Sequence, residues 1–403
     1  MSSFTEIPGG VTAPAGFLAG SIFCGIKPAN TSRPDLAIIY SPTPAVVAGT
    51  FTTNKVRAAP VRVSAAHLRA QDVRAIVVNA GNANACTGAD GIENAKRMTR
   101  TAGRALGLQE RQVMVCSTGR IGVPLPIDKI EQSIHELAKE LTPDGSRRAA
   151  EAIMTSDSFH KEIAVECQLA GKRVRVGGIA KGAGMIDPNM ATMLCFLTTD
   201  AMVRKPELQQ ALSISVEQSF NRITVDGDMS TNDTVLLLAN GEAGHLPLEN
   251  GTKEMECFQE ALDHVTKNLA RMIVEDGEGV TRFVEVHVNG AGSYSDARRA
   301  AEAIAKSTLV KCAWFGGDPN WGRIMDAIGY SGARLREETV DIFYDGVIAV
   351  RGGMASMTPF QRLQEICAQK RFTVTVALNL GAHDYTVYTT DLSTEYVELN
   401  MGE

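Results

Sequence analysis

Lys181–Phe196 reads KGAGMIDPNMATMLCF. A glycine-rich loop opens it, an Asp187-Pro188-Asn189 turn follows, and Met190-Ala191-Thr192 steps into an apolar run. Thr192 thus stands where a loop becomes a strand, with small Ala191 just before it. A hydroxyl that attacks the carbonyl of the preceding residue needs a bent, uncrowded backbone, which glycine-rich turns permit. Breaking the Ala191–Thr192 bond would leave a hydroxyl and a free α-amine on one residue. That amine, with a reference pKa near ~7.7, could act as a built-in general base. The competing reading is a β-branched residue opening a buried strand, and the local pattern taken alone favours it.

The rest of the chain narrows the choice. Its 403 residues are 44% hydrophobic and 21% charged, an ordinary globular composition. A net charge of −6 gives no electrostatic footprint for nucleic acid. No apolar stretch reaches membrane-spanning length. The start, MSSFTEIPGGVTAP, has no basic region followed by an apolar one, so a cytoplasmic protein is expected. Eight scattered cysteines form no Cys-x-x-Cys pair and no zinc-like cluster with histidine, so reduced thiols and no metal or cofactor are expected.

Short Val/Ile/Thr-rich runs alternate with amphipathic stretches, which predicts an α/β chain whose sheets carry helices on their outer faces. Strands are expected at Leu36–Tyr40, Ala75–Asn79, Val113–Cys116, Arg173–Ile179, Thr192–Leu197, Thr234–Ala239, Phe283–Val288, Val340–Val350, Thr373–Leu380 and Tyr385–Thr389. Helices are expected at Gly91–Ala105, Pro126–Leu141, Ser146–Met154, Pro206–Asn221, Lys253–Glu275, Asp296–Ser307 and Pro359–Gln369. Asp90 and Glu93 have capping-box spacing at the first of these.

None of the seven histidines lies near a nucleophile elbow, and no Ser-x-x-Lys or catalytic cysteine motif stands out. An N-terminal threonine is the nucleophile that needs no histidine. Cys116–Gly122, CSTGRIG, could present backbone N–H groups to an oxyanion, or be a plain strand-to-helix turn. Lys181-Gly182-Ala183-Gly184 lacks the Walker A ending and precedes a strand, so it is not a phosphate loop. Lys181 is either a surface cation or a contact for a substrate carboxylate. Glu275-Asp276-Gly277-Glu278-Gly279 places carboxylates at a helix C-terminus, where the macrodipole disfavours them. They form a solvated turn or hold an ammonium group. The loops Asn79–Gly88 and Gly316–Arg323 can be wholly architectural, with Trp321 in packing.

Taken together, VTAPAGF, GNANACTG, the STG turn, MTSDS (154–158), KGAGMIDPNMATML, DGDMSTNDT (226–234), DGEG, GDPNWGR and Asn400 resemble the ornithine acetyltransferase family of arginine biosynthesis. The resemblance runs nearly the full length. It implies a layered αββα-type sandwich with N-terminal-nucleophile behaviour. It implies self-cleavage between Ala191 and Thr192 into chains 1–191 and 192–403, which pair as an α2β2 heterotetramer. Thr192 would be the nucleophile, and Thr118 and Gly119 the oxyanion hole. Thr155, Lys181, Thr192, Glu278 and Asn400 would line the amino-acid site. The implied reaction moves acetyl from N-acetylornithine to glutamate, with acetyl-CoA left open as a second donor.

Family members commonly end in a Ser or Thr that also meets substrate. Here Met401, Gly402 and Glu403 follow Asn400, so affinity or specificity is where a difference is expected. Two alternatives remain open: an N-terminal-nucleophile amidase or aminopeptidase, and an uncleaved amino-acid-binding relative.

Overall fold

Apolar residues run unbroken through the central strands, alternate in strands such as Phe283–Ala291 and recur at three-to-four-residue spacing in the helices. The computed structural model describes residues 4–27, 32–187 and 193–401. It divides into two units. The first comprises Met1–Met185, Asn189–Asn221 and Asp228–Ile273; the second comprises Ile186–Pro188, Arg222–Gly227 and Val274–Glu403.

The first unit runs β1 (Phe4–Ile7), β2 (Leu18–Ile22), β3 (Leu36–Tyr40), β4 (Val46–Phe51), α1 (Ala59–His67), β5 (Ala75–Asn82), α2 (Gly88–Leu106), β6 (Val113–Arg120), α3 (Ile127–Leu137), α4 (Ser146–Ile153), β7 (Lys161–Leu169), β8 (Lys172–Lys181), β9 (Leu194–Thr199), α5 (Lys205–Gln218), β10 (Thr234–Ala239) and α6 (Lys253–Glu275). One sheet has the order β1-β7-β8-β9-β10-β4, the other β2-β3-β5-β6. Their facing sides share a core: Ile39, Ile76, Val78 and Met114 meet Val47, Phe196, Leu236 and Leu238. The far side of the smaller sheet buries Ile38, Val77 and Val115 with Met98 of α2 and Ile130 and Ile134 of α3. Behind the larger sheet, a Cβ on Gly178 of β8 would come 2.9 Å from a Leu269 methyl of α6, so glycine there admits the helix closely. The layers are helix, sheet, sheet, helix, as expected. Burying each such aliphatic side chain is worth about 1.5–3 kcal/mol, and this stacking holds the layers together.

The second unit runs β11 (Phe283–Ala291), α7 (Tyr294–Lys306), α8 (Thr308–Phe315), α9 (Trp321–Tyr330), β12 (Asp341–Tyr344), β13 (Val347–Arg351), β14 (Met354–Ala355), α10 (Phe360–Cys367), β15 (Arg371–Ala377), β16 (His383–Thr390) and α11 (Thr394–Leu399). Its sheet has the order β14-β13-β12-β15-β11-β16, with β11 and β15 parallel. Val286, Val374 and Val376 pack on Ala300 and Ile304 of α7 and on Trp314 of α8. Ser293, Ser307, Asn320 and Ser393 cap α7, α8, α9 and α11 through their side chains.

Four expectations change. Ser117–Arg120 is no strand-to-helix turn but the end of β6, paired with β5. Val340–Val350 is not one strand: Asp345 and Gly346 take positive φ and fold it into the β12–β13 hairpin. α2 opens at Gly88 with Thr87 as its N-cap residue, so Asp90 and Glu93 form no capping box; Glu93 pairs with Arg100 instead. The strand expected from Thr192 is Leu194–Thr199. Among the described residues no helix is long and apolar enough to cross a membrane.

Candidate active site

β5 and β6 run parallel in register until Gly81 opposes Gly119, where the pairing slips. Gly119 has φ +125°, and a Cβ on it would lie 2.3 Å from the Gly81 carbonyl carbon. Only glycine lets the two strand ends close this tightly. This strand end is clamped from behind. Ser117 Oγ donates to Asn79 Oδ1 at 2.6 Å, and Asn232 Nδ2 donates to the Ser117 and Ala83 carbonyls at 2.8 and 2.7 Å. Thr118 is thereby fixed and nearly buried, with Oγ1 3.5 Å from Lys181 Nζ.

Lys181 ends β8 and is only 3% exposed. Its ammonium donates to Thr155 Oγ1 at 2.5 Å and lies 3.7 Å from Asp157 Oδ2. Asp157 also takes the Lys161 ammonium at 2.8 Å, the Gly182 N–H at 2.7 Å and the Thr155 N–H at 2.9 Å. Burial works against its charge. Lys181, Lys161 and the Gly182 amide outweigh burial and hold it well below the usual carboxylate range. Lys27 lies in the same neighbourhood. Burial pushes its ammonium down to about 8, and it donates to the Pro34 and Ala152 carbonyls. Lys161 and Lys181 share the single Asp157 carboxylate, whereas the larger charge partner of Lys27 is Asp35. The two ammoniums on one carboxylate suit an anionic group or a developing oxyanion.

Ala191 and Thr192, the expected scission point and nucleophile, lie outside the described residues. Met193 follows them, buried. Its N–H donates to Asp233 Oδ1 at 3.0 Å, and its carbonyl accepts the Thr234 N–H at 3.2 Å.

The first unit thus brings together Thr118, Gly119, Thr155 and Lys181. Glu278 and Asn400 belong to the second unit, where Asn400 Nδ2 donates to Glu278 Oε2 and to the Tyr396 carbonyl, each at 2.9 Å. Part of the acidic turn's charge is answered there: Glu275 pairs with Arg371 at 2.9 Å. The Asn-rich loop is architectural as weighed, since Asn79, Asn82 and Asn84 spend their amides on backbone carbonyls. Trp321 packs against the second unit's core, and Asn320 caps α9.

Asp157, Lys161, Lys27, Asn232 and Asp233 were not singled out from sequence. Asp157 sits inside MTSDS and the last two inside DGDMSTNDT, segments that carried the resemblance without assigned side chains. Nothing local marks Lys27 or Lys161.

A helix–sheet–sheet–helix sandwich that seats a buried lysine beside a small-residue strand end has the makings of an acyl-transfer enzyme. The chain belongs to the ArgJ family, whose model matches residues 18–402. That membership makes it an acyltransferase of arginine biosynthesis. Among its relatives, the arginine biosynthesis bifunctional protein ArgJ of Geobacter sulfurreducens is 48% identical over 96% of this chain and 98% of its own. That of Symbiobacterium thermophilum is 44% identical over 98% of each chain. The glutamate N-acetyltransferase of Methanocaldococcus jannaschii is 47% identical over 98% of each. A crystal-structure chain of ArgJ from Bacillus halodurans is 38% identical with a TM-score of 0.43, covering 47% of this chain and 98% of that one. A chain of the Mycobacterium tuberculosis ornithine acetyltransferase, complexed with ornithine, is 36% identical with a TM-score of 0.42, covering 46% and 98%.

Proposed function

We propose that the chain cuts itself between Ala191 and Thr192, and that the freed Thr192 carries acetyl from N-acetylornithine to glutamate. Thr192 Oγ attacks the acetamide carbonyl while its own α-amine takes the hydroxyl proton. The Thr118 hydroxyl and the Gly119 N–H receive the oxyanion; such donors are worth about 3 kcal/mol each in the transition state. The carbon–nitrogen bond breaks, the amine returns the proton to the leaving nitrogen, and ornithine departs. Glutamate's amine then attacks the acetyl-Thr192 ester, and Oγ regains its proton.

The observation that supports this reading is the Lys181 ammonium, held at once against the Thr155 and Thr118 hydroxyls beside the STG strand end. Lys181 and Thr155 would meet one end of the amino acid. The two cut chains would stay together and pair as an α2β2 assembly in the cytoplasm. Acetyl-CoA would form the same ester.

The test is intact mass and a denaturing gel, then an assay. Wild type is expected as pieces of roughly 20 and 23 kDa by residue share, the second beginning Thr-Met-Leu-Cys. It should acetylate glutamate from N-acetylornithine, with acetyl-CoA tried as the replacement donor. Thr192→Ala should stay whole and inactive. Release of free acetate without transfer would instead favour an amidase, and a whole wild-type chain would favour a binding protein.

A further inference from the structure

Asp35 is a buried carboxylate, and backbone amides occupy both of its oxygens. Oδ1 accepts the Cys24 N–H at 2.6 Å, and Oδ2 accepts the Ile26 and Lys27 N–H groups at 2.7 and 3.0 Å. Charge-assisted bonds of this kind are strong, so Lys27 is set at its backbone. From there it reaches two places at once. A Cβ on Gly81 would meet the Lys27 nitrogen and its Cγ, each at 3.1 Å, so the residue lies directly against the glycine that opposes Gly119. Farther out, its ammonium donates to the Pro34 carbonyl at 2.8 Å and to the Ala152 carbonyl at 3.0 Å.

Ala152 belongs to the last turn of α4, where carbonyls lack partners within the helix. That turn has no basic residue of its own, and Lys27 brings the cation that a helix C-terminus favours. Thr155 follows three residues on. It is held from its other side as well: Arg33 Nη1 donates to the Asp157 carbonyl at 2.8 Å, and Asp157 Oδ2 accepts the Thr155 N–H at 2.9 Å. Lys27 and Arg33 thus bracket the short segment that presents Thr155 to Lys181.

We propose that the Lys27 ammonium is a positioning group of the acyl-transfer site, setting the end of α4 that leads to Thr155 against the Gly81–Gly119 strand end. This rests on the reading of Thr155 and Gly119 as parts of that site. Lys27 bonds to one wall and packs on the other, so the spacing between the Thr155 hydroxyl and the oxyanion donors is set through it. A misplacement of about 1 Å in such a constellation costs up to about 10²-fold in rate. The charge contributes, since an ammonium bonds a carbonyl about twice as strongly as a neutral donor does. Burial pushes this ammonium down to about 8. Asp35 and Asp157 oppose the fall, and Arg33 and Lys181 add to it. Below that pH the hold on Ala152 is at full strength, and above it the hold weakens.

The test compares full-length wild type with Lys27→Met and Lys27→Ala. Folding is checked by circular dichroism and melting, and kcat and KM for N-acetylornithine and glutamate are measured per folded molecule. Methionine keeps a stem on Gly81 and loses both carbonyl bonds. Lys27→Met should raise KM about tenfold, the scale of one lost charged hydrogen bond, with kcat less affected. Lys27→Ala also strips the packing from Gly81 and should lower kcat about tenfold more. The Lys27→Met to wild-type ratio of KM should be largest below pH 8 and shrink above it. Variants that melt lower yet keep wild-type kcat and KM overturn the proposal, and so does a ratio that stays flat through pH 8. A wild-type enzyme that transfers no acetyl overturns the reading of the site itself. If neither variant yields folded protein, Lys27 is a packing element and the positioning role falls.

Discussion

Thr155 Oγ1 and Lys181 Nζ stand 2.5 Å apart, and the Asp157 carboxylate that orients the Thr155 backbone N–H lies 3.7 Å from the same ammonium. A cation fixed this way presents its charge without reorganising, and preorganised charge is where catalysis gains most.

Lys181→Met should therefore cost 10²- to 10³-fold in kcat/KM, or about 2.7–4 kcal/mol. Lys181→Arg should rescue little, because a planar guanidinium does not fit a compact point-charge site. Steady-state kinetics with N-acetylornithine and glutamate check both, with melting as the control for folding.

Asp157→Asn leaves Lys161 and Lys181 facing each other without their shared anion. Breaking a buried ion pair from one side typically costs about 3–5 kcal/mol, and urea unfolding should show a loss of that order. The pH dependence has a definite sign. The folded pKa of Asp157 is depressed below its ordinary 3.8. Its contribution to stability is therefore present above pH 4 and disappears as pH falls through the folded value. The variant should lack that acid-sensitive part.

Gly119→Ala would force a Cβ into the Gly81 backbone at a positive φ. Transfer activity should fall at least tenfold even in chains that fold, because the paired strand ends at Gly81 and Gly119 must part to admit the methyl group. Activity per folded molecule is the measurement. Full activity in a stably folded variant would detach this strand end from the chemistry.

Lys311 is buried in the second unit and donates to Thr389 Oγ1 at 3.2 Å, to Thr390 Oγ1 at 2.9 Å and to the Thr390 carbonyl. Burial pushes its ammonium from 10.5 down to about 7. Between those values the unfolded chain holds the proton and the folded chain does not. This residue's contribution to stability therefore rises with pH from 7 toward 10.5. Wild type minus Lys311→Met in Tm should climb across that window and stay flat below it.

Asn400→Ala removes exposed hydrogen bonds to Glu278 and the Tyr396 carbonyl. Stability should move by no more than about 0.5 kcal/mol, as for surface changes generally. KM for the amino-acid substrates should rise severalfold with kcat less affected. An unchanged KM would exclude Asn400 from substrate binding.

Periodicity located many elements whose burial is one-sided or complete, but β4, β7 and α1, buried likewise, were not expected from it. Leu36–Tyr40, Thr234–Ala239 and Lys253–Glu275 stand where their patterns predict. β1 and β2 are too short to show a period, and α9 opens inside a loop punctuated by glycine and proline. The β12–β13 turn was legible and passed over: Asp345-Gly346 between alternating strands is a hairpin signal. Thr118, Gly119, Thr155 and Lys181 came from motif resemblance, and the fold assembles them from β6, the segment after α4, and β8. Asp157 and Asp233 could not be picked out, because a carboxylate's role depends on which cations and amides the distant chain brings to it.

In the first unit's six-stranded sheet, β9 and β10 come from beyond residue 192, yet they lie between β8 and β4, which come from before it. A cut at 191/192 would therefore release no strand, since each fragment's ladder is completed by the other. It would also change the molecularity of folding. The intact precursor reaches this interleaved sheet alone, whereas two denatured fragments would have to find each other first. Recovery from urea should then depend on protein concentration for the cut enzyme and not for an uncut variant, leaving the mature molecule a product of its history as well as its sequence.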